Sequence, residues 1–311
     1  MKKEQFSPKL DKISENIIFL LSINSRASVS DLAKTLNINR KIVENRVQRL
    51  YKNRYIKPLL IYNYPGLLKA TVLIKLSCFA QKDIEAIKRL GALIKVKESL
   101  GMYDFSLLII KKDRPGLDLF IQKINKLLHH SLQNMDVVAH DIEDTLGYKS
   151  FCGDSRFLSG YDSLQSSYTL SREDSTLIDI LKDDPLMPYK ELMKKTGWSY
   201  AKIRQSLSTL LRKKVIRFTV DPDYDRLDLE FHNVLAKINL AKSDEFEKYI
   251  TSHPRIHWMK RGSGKWDYIL SIPTRDINEF IDITREIRTA NKGILFDFTA
   301  LISKIHVTRK H

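Results

Sequence analysis

The chain has few cysteines and no long apolar run. Among its 311 residues, Cys78 and Cys152 are the two cysteines, and they lie far apart without a Cys-x-x-Cys spacing. This scarcity argues against a disulfide framework and a thiolate metal site, and a reducing cytosol is the simplest setting. No apolar run approaches the ~18 to 20 residues that a membrane span requires. We therefore predict a cytoplasmic protein that does not engage a membrane.

Sequence signatures of catalysis are also missing. No Ser-His-Asp spacing, phosphate-cradling glycine loop or paired-carboxylate motif stands out. His253 and His257 have the i, i+4 spacing of a helical metal pair, but Pro254 lies between them in a segment that reads as loop into strand. We predict no catalytic residue, no metal site and no cofactor.

Positive charge is what the sequence has in excess. There are 53 Lys and Arg against 37 Asp and Glu, a net charge of +16. A field of that sign favours a polyanion such as nucleic acid, or an anionic membrane surface, over acidic proteins and neutral ligands. Residues 39–57 carry seven basic and one acidic side chain, and residues 199–217 carry six basic and none acidic, so each stretch has a net charge of +6. Twelve of the sixteen excess charges therefore lie in two short segments.

An internal repeat organises the chain. Residues 10–56 recur at 170–216, offset by 160 positions and without an insertion. Seven positions are identical, which is too few to establish the repeat, but the apolar pattern matches as well. The chain is therefore a duplication, and each half is interpreted as the same structural unit. Apolar positions Ile17, Leu20, Val43 and Val47 correspond to Leu177, Ile180, Ile203 and Leu207.

Each copy begins with the pattern of a three-helix DNA-binding domain. In the first copy, a helix around Ile17 is followed by a short helix after Ser30 and by a third helix that Asn39 can cap. A basic third helix after a sharp turn predicts a helix-turn-helix, whose third helix enters the major groove. The segments 55–62 and 216–220 predict a β-ribbon that makes each motif a winged one. The predicted buried positions of the third helices are Ile42, Val43, Val47 and Leu50, and Ile203, Leu207, Leu210 and Leu211.

The candidate DNA-binding residues lie on or beside these third helices. Arg, Asn and Gln can read base edges there, while Lys and other Arg contact phosphates. Ser206 and Thr209 stand where the first copy has Arg46 and Arg49, which predicts two unequal readers and an asymmetric DNA site. In the first copy the candidates are Ser28, Asn39, Arg40, Lys41, Asn45, Arg46, Arg49, Lys52 and Arg54. In the second copy they are Ser199, Tyr200, Lys202, Arg204, Gln205 and Arg212.

After each helix-turn-helix the pattern alternates strands and helices in the order βαββαβ. This order predicts an α+β fold with a ferredoxin-like antiparallel sheet, helices on one face and the other face free to pair with a second sheet. The predicted domains are a winged helix-turn-helix at 1–62, a ferredoxin-like effector and dimerisation domain at 63–146, a linker at 147–169, a second winged helix-turn-helix at 170–222 and a second ferredoxin-like domain at 223–311.

The residues along both copies resemble one family. Leu10-Asp11-Lys12, Ser25-Arg26-Ala27-Ser28, Asp31-Leu32-Ala33 and Arg46-Val47-Gln48-Arg49-Leu50 resemble the opening of the Lrp/AsnC family of transcriptional regulators. Gly101-Met102-Tyr103-Asp104 and Gly264-Lys265-Trp266-Asp267 resemble the Gly-x-aromatic-Asp turn of that family's effector-sensing RAM domain. We expect the two glycines to be turn residues with positive φ. The resemblance covers nearly the whole chain, twice.

The resemblance implies a sequence-specific DNA-binding transcriptional regulator and not an enzyme. It implies that the two sheets of one chain pack face to face as a built-in pseudo-dimer, and chains can pair further as a homodimer. The implied partners are double-stranded DNA and an amino acid or related small effector. The implied effector-binding residues are Gly101, Tyr103, Asp104, Gly264, Trp266 and Asp267.

Two alternatives stay open. Siroheme decarboxylases resemble the same family in architecture and act as paired units, and a basic interior would suit a polycarboxylate tetrapyrrole. Against this, the charge excess lies on the recognition helices rather than in the sheet domains. An architectural DNA-binding protein without sequence preference would show the same steep salt dependence but no specificity ratio.

Overall fold

The computed structural model describes residues 10–63, 66, 68–78, 81–90, 93–152 and 167–308. The chain divides into two compact units. Unit 1 comprises Met1–Tyr64 and Asp144–Leu229, and unit 2 comprises Pro65–Glu143 and Glu230–His311. Each unit therefore combines the equivalent parts of both copies of the repeat. Most of the predicted linker at 147–169 lies outside the described residues.

The elements follow the predicted order in both copies, so the predicted α+β class is confirmed. The helices are α1 (Lys12–Ile23), α2 (Val29–Leu36), α3 (Arg40–Lys52), α4 (Gln81–Arg89), α5 (Arg114–Leu128), α6 (Arg172–Asp183), α7 (Tyr189–Thr196), α8 (Tyr200–Arg212), α9 (Ser243–Ser252) and α10 (Ile277–Ala290). The strands are β1 (Ile56–Tyr62), β2 (Leu68–Leu76), β3 (Leu93–Leu100), β4 (Phe105–Lys111), β5 (Leu132–Thr145), β6 (Ile216–Pro222), β7 (Glu230–Ile238), β8 (Trp258–Gly264), β9 (Tyr268–Thr274) and β10 (Leu295–Thr308). In the described part of the chain, no helix is both long and apolar enough to cross a bilayer.

Side-chain caps fix where α3 and α8, the third helix of each copy, begin. The side chain of Asn39 accepts a hydrogen bond from the backbone N–H of Lys41, and that of Ser199 accepts one from Lys202. Each cap satisfies a backbone donor of the first turn that has no partner within the helix. Both predicted caps are confirmed, whereas the short helix predicted to follow Ser30 begins at Val29 and is capped by Ser28.

The buried face of each recognition helix is narrower than predicted. Val43 and Leu50 are buried on α3, and Ile203, Leu207 and Leu210 are buried on α8. The prediction was wrong for Ile42 and Leu211, which are 43% and 44% exposed. Each lies one residue, about 100° around the helix, from a buried neighbour, and so falls at the margin of the packed stripe.

The β-ribbon predicted after each helix-turn-helix is built by the two copies together. β1 pairs antiparallel with β6, from Ile56 opposite Pro222 to Tyr62 opposite Ile216. Each strand thus finds its backbone hydrogen-bond partners in the other copy rather than in a hairpin of its own. The pairing joins the two helix-turn-helix modules within unit 1.

Arg26 adds an asymmetric link between the two modules. Its guanidinium donates to the carbonyl oxygens of Pro185 at 2.8 Å and Met187 at 2.9 Å. It also lies 5.0 Å from the ring centroid of Phe218. The equivalent position of the second copy is Leu186, so a symmetric counterpart of this link is impossible.

Replacing Arg26 with alanine is expected to lower the free energy of unfolding by about 2 to 4 kcal/mol, because two carbonyls lose a charged donor and a ring loses its stacking partner. Chemical denaturation followed by circular dichroism measures this. Arg40→Ala is the matched control, since Arg40 is exposed and its loss should cost no more than about 0.5 kcal/mol. Equal losses in both variants would contradict the link.

Unit 2 is a closed barrel of antiparallel strands in the order β10-β3-β4-β2-β5-β8-β9-β7. Each copy contributes four strands in the ferredoxin-like order. β5 and β10 are 14 residues long, and each reaches beyond its own sheet, β10 to β3 and β5 to β8. The face-to-face packing predicted for the two sheets is therefore accompanied by edge pairing. The inner faces meet in a cluster of Leu73, Tyr103, Val138, Leu235, Trp266, Ile269 and Leu301.

Candidate functional site

The strands of unit 2 bring lysines to the inner side of the barrel. On β2, Ala70 and Val72 belong to the core that also contains Leu117 and Phe120 of α5. Because successive side chains of a strand point to opposite faces, Lys69 and Thr71 lie on the inner face. Lys69 is 7% exposed although it is a lysine. A buried lysine requires a partner for its charge.

Glu143 of β5 holds two of these lysines. Its Oε2 lies 3.3 Å from Lys69 Nζ, and its Oε1 lies 3.4 Å from Lys260 Nζ of β8. The three side chains are 10%, 8% and 15% exposed respectively. Burial raises the pKa of Glu143, but the ammonium groups of Lys260 and Lys69 outweigh it and hold the pKa at about 2. Glu143 is therefore a carboxylate at neutral pH.

His140 lies beside this cluster. Its Nε2 is 2.7 Å from the hydroxyl of Thr71, while its Nδ1 is buried and has no hydrogen-bond partner among the described residues. Burial, with the nearby charge of Lys260, lowers the pKa of His140 to about 3. The imidazole is therefore neutral at pH 7. An orphaned nitrogen in a polar interior marks a place for a ligand atom or a proton.

A third buried lysine, Lys97, is the counterpart of Lys260 in the first copy, because each lies four residues before the glycine of its Gly-x-aromatic-Asp turn. Lys97 of β3 donates to Asn233 Oδ1 at 3.0 Å, and that oxygen also accepts from Ser271 at 2.8 Å. Its ammonium lies 4.2 Å from the ring centroid of Phe231. Lys95, two residues earlier on the strand, lies 5.6 Å from the same ring.

The cluster has an excess of positive charge. Two other carboxylates are buried in the described part of unit 2, and both are engaged elsewhere. Asp83 lies 3.3 Å from His130, and Asp267 accepts from Lys237 Nζ at 2.7 Å and from the N–H of Ile238 at 2.9 Å. Of the described buried carboxylates of unit 2, Glu143 is therefore the one that pairs with Lys69 and Lys260. Such an arrangement stabilises bound anions.

Because the pKa of His140 is low in the folded protein, the free energy of unfolding should decrease in acid. As the pH falls, the imidazole of the unfolded chain takes up a proton near its ordinary pKa of 6.5. The imidazole of the folded protein has a pKa of about 3 and stays neutral until a much lower pH. Its contribution to stability is therefore present above pH 6.5 and is lost as the pH falls towards 3. Between pH 7 and pH 5 the loss should be roughly 2 kcal/mol. Denaturation curves at both pH values measure it, and His140→Gln should remove this part of the dependence. An unchanged dependence in the variant would disprove the assignment.

The predicted effector residues occupy two equivalent turns. Gly101 and Gly264 have φ of +134° and +145°, which confirms them as turn glycines. The carboxylate of Asp104 accepts from the N–H of Leu76 at 2.7 Å and from Lys75 Nζ at 2.9 Å. Asp267 repeats this arrangement in the second copy. Both carboxylates therefore fix the turn to the neighbouring strand, and contact with an effector remains a prediction.

The aromatic residues of the two turns meet each other. Tyr103 and Trp266 are fully buried, and the indole N–H of Trp266 donates to the Tyr103 hydroxyl at 3.0 Å. The hydroxyl donates in turn to Asp136 at 2.6 Å. Burial and this carboxylate raise the pKa of Tyr103. The pair packs in the core where the two copies join, and an effector role for it also remains a prediction.

The predicted DNA-binding residues form two exposed surfaces on unit 1. Arg46 is the exception, because it is half-buried and its guanidinium lies 2.6 Å from Asp11, the cap of α1. Lys202 is exposed but pairs with Glu173 at 3.4 Å. The exposed members are Ser28, Asn39, Arg40, Lys41, Asn45, Arg49, Lys52 and Arg54 in the first copy, and Ser199, Tyr200, Lys202, Arg204, Gln205 and Arg212 in the second.

The residues of the barrel interior were not predicted from the sequence. One signal was present: Lys97 and Lys260 each lie four residues before the glycine of a Gly-x-aromatic-Asp turn, and each follows an apolar residue, Val96 or Met259. A lysine kept at the same inward position of both copies indicates a buried positive charge.

Known proteins resemble parts of the chain or all of it. A family model of the AsnC-type helix-turn-helix domain matches residues 10–51. The HTH-type transcriptional regulator FL11 of Pyrococcus furiosus is 26% identical over 141 residues, which are 43% of this chain and 89% of the regulator. HTH-type transcriptional regulator Ptr1 of Methanocaldococcus jannaschii is also 26% identical, over 43% of this chain and 95% of that protein.

Solved structures also match the duplicated architecture as a whole. The siroheme decarboxylase NirDL superposes with a TM-score of 0.60 at 14% identity, and the match covers 96% of this chain and 94% of NirDL. A second structure of NirDL, in complex with an iron-uroporphyrin III analogue, gives a TM-score of 0.59. At this identity the likeness shows a shared fold. The match to each regulator covers the length of one copy of the repeat, whereas the match to NirDL covers both copies.

Proposed function

We propose that the barrel of unit 2 binds a tetrapyrrole with several carboxylate side chains and that the protein decarboxylates it. The observation that carries the proposal is the pair of lysines that Glu143 bridges beside a neutral, partly unsatisfied His140, with the buried Lys97 in the other half of the barrel. The full-length similarity to a siroheme decarboxylase supports it. The siroheme-decarboxylase alternative is therefore the function we favour, because buried positive charge is present inside the barrel of unit 2 as well as on α3 and α8.

The chemistry of the interior suits such a ligand. Ammonium groups pair with carboxylates, and they do so more strongly where water is excluded. Phe231 offers an aromatic face next to Lys97, and a macrocycle is flat and apolar between its acidic substituents. Binding sites of this kind combine an apolar lining with a few placed polar groups.

The reaction needs an acid as well as a binding site. Decarboxylation of an acetate side chain breaks the bond between its methylene and carboxylate carbons, releases carbon dioxide and leaves the electron pair on the methylene carbon. A proton must then reach that carbon to give a methyl group. We assign this proton to His140. Substrate carboxylates next to the imidazole would raise its pKa above the value of the empty site, so that it gains a proton when substrate binds.

The direct test is product analysis. Incubation of the full chain with siroheme under anaerobic conditions should yield products that have lost carbon dioxide, as seen by mass spectrometry. Arg204→Ala, on the exposed surface of α8, should decarboxylate at the rate of the unmodified protein. Intact siroheme after prolonged incubation with folded protein would overturn the proposal.

We also propose that unit 1 binds double-stranded DNA. This second function is favoured by the AsnC-type match and by the exposed basic residues of α3 and α8. We expect affinity to fall linearly with salt on a logarithmic scale. A regulator should prefer its own genomic sites over random DNA by at least about 10³.

Fluorescence anisotropy with genomic fragments tests this function. Arg49→Ala on α3 and Arg204→Ala on α8 should each weaken binding, and by different factors, because the two readers differ. Lys248→Met is the control, since Lys248 is exposed on α9 of unit 2. The absence of binding at low salt would refute DNA binding, and binding without sequence preference would indicate an architectural protein.

A further inference from the structure

Glu143 bridges two lysines in the interior of the barrel. It is 8% exposed, and its two oxygens face two different ammonium groups, Lys69 at 3.3 Å and Lys260 at 3.4 Å. A carboxylate that bridges two buried lysines makes the contacts that the same lysines would offer to an anionic substrate. Lys69 comes from the first copy and Lys260 from the second, so Glu143 also ties the two halves of the barrel together.

The other half of the barrel shows the contrast. Lys97 is the repeat equivalent of Lys260, and it contacts the amide oxygen of Asn233 and the ring of Phe231 rather than Glu143. A neutral amide gives up a lysine to a ligand carboxylate more readily than Glu143 does, because the two full opposite charges of a lysine and a carboxylate add a Coulomb attraction that the amide lacks. The two halves therefore differ in how readily they accept an anion.

We propose that Glu143 is an internal competitor for the substrate's carboxylates: it occupies the Lys69–Lys260 subsite in the empty protein and leaves it when a polycarboxylate binds. The inference rests on the proposed function for the identity of the substrate. That the Lys69–Lys260 subsite recognises carboxylates follows from its two ammonium groups and is independent of the proposed function. The competition selects ligands that carry enough carboxylates to replace Glu143 and to contact Lys97 as well. Ligands with a single carboxylate do not open the subsite.

Removing the negative charge of Glu143 should increase the affinity for a polycarboxylate ligand. Glu143→Gln should bind iron uroporphyrin III at least about tenfold more tightly than the unmodified protein, since the ligand no longer displaces a bound carboxylate. Asp141→Asn is the matched control. Asp141 lies on the same strand two residues earlier, but it is exposed and pairs with Arg261 at 2.9 Å. It removes the same charge without freeing Lys69 or Lys260, and its affinity should be unchanged.

A rescue experiment covers the case in which Glu143→Gln does not fold. Lys69→Met leaves Glu143 paired with Lys260 alone and should weaken iron uroporphyrin III binding by at least about tenfold. Adding Glu143→Gln to Lys69→Met frees Lys260 and should restore most of the lost affinity. Failure of the second change to restore binding in a folded double variant would overturn the proposal, as would equal or weaker binding by folded Glu143→Gln.

A small probe separates this inference from the proposed function. Benzene hexacarboxylate has the carboxylates but not the macrocycle. It should raise the thermal midpoint of Glu143→Gln, or of the folded double variant, more than that of the unmodified protein and of Asp141→Asn. If siroheme is not decarboxylated but this difference is found, the proposed function fails and the competition stands. If siroheme is decarboxylated and neither probe distinguishes the variants, the competition fails alone.

Discussion

Gly262→Ala is expected to lower the free energy of unfolding by more than about 3 kcal/mol. A Cβ at this position would lie 2.0 Å from the carbonyl oxygen of Ala139 and 3.0 Å from the Cα of His140. Both are backbone atoms of β5, which cannot rotate away as a side chain could. The added methyl must therefore push β8 away from β5, where the barrel closes.

The matched control is Gly293→Ala. Gly293 has φ of +84°, and a Cβ added there would have no atom within 4 Å, so alanine should cost only about 1 kcal/mol of backbone strain. Urea denaturation of both variants measures the difference. Similar losses in the two proteins would show that the β5–β8 contact is looser than the structure has it.

His140→Gln is expected to lower the rate of siroheme decarboxylation about 10²- to 10⁴-fold, the range in which a positioned acid contributes. Glutamine keeps hydrogen-bonding capacity next to Thr71 but cannot deliver a proton. Binding of iron uroporphyrin III should change by less than about threefold, because the lysines that hold the carboxylates remain. Anaerobic rate measurements with siroheme, together with a binding titration, separate the two quantities.

Ser303→Ala is the control for His140→Gln. Ser303 is the counterpart of His140 in the second copy, because each is the ninth residue of its 14-residue strand, β10 or β5. The Ser303 hydroxyl lies 3.4 Å from Asn233 Nδ2, whereas His140 contacts Thr71. A seryl hydroxyl is a poor acid at neutral pH, so Ser303→Ala should retain most of the rate. The pH profile adds a second readout, since the limb that reports His140 should be missing in His140→Gln. Equal rate losses in His140→Gln and Ser303→Ala would indicate that both residues act on the structure of the barrel and that His140 does not supply the proton.

Local features of the fold could be predicted from the sequence. Asn39 and Ser199 are good caps in front of periodic apolar residues, and they begin the recognition helices where expected. The glycines of the two Gly-x-aromatic-Asp turns adopt the predicted positive φ. These features depend on a few neighbouring residues, so the information lies within a short window of sequence.

Pairings between the copies could not be predicted in this way. β1 reads as half of a local ribbon, but its partner is β6, in the other copy. The closure of β10 on β3 and of β5 on β8 depends equally on long-range contacts. Register between distant strands is set by packing in three dimensions, which a pattern along one segment does not encode.

The barrel site was missed for a related reason. Counting charge along the chain assigns the same weight to a solvated lysine of α3 and to Lys69, yet the buried lysine has far more effect on what can bind. The site also combines Glu143 from the first copy with Lys260 from the second. Neither residue stands in a motif, and their chemistry becomes visible once the fold brings them together.

The central claim is that the barrel interior of unit 2 is a site for a polycarboxylate tetrapyrrole. The most direct measurement is an absorbance titration of the full chain with iron uroporphyrin III. We predict a saturable change of the Soret band that Lys97→Met weakens at least about tenfold and that Lys248→Met, on the exposed side of α9, leaves unchanged. No saturable change with the unmodified protein, or equal binding by Lys97→Met, would contradict the claim.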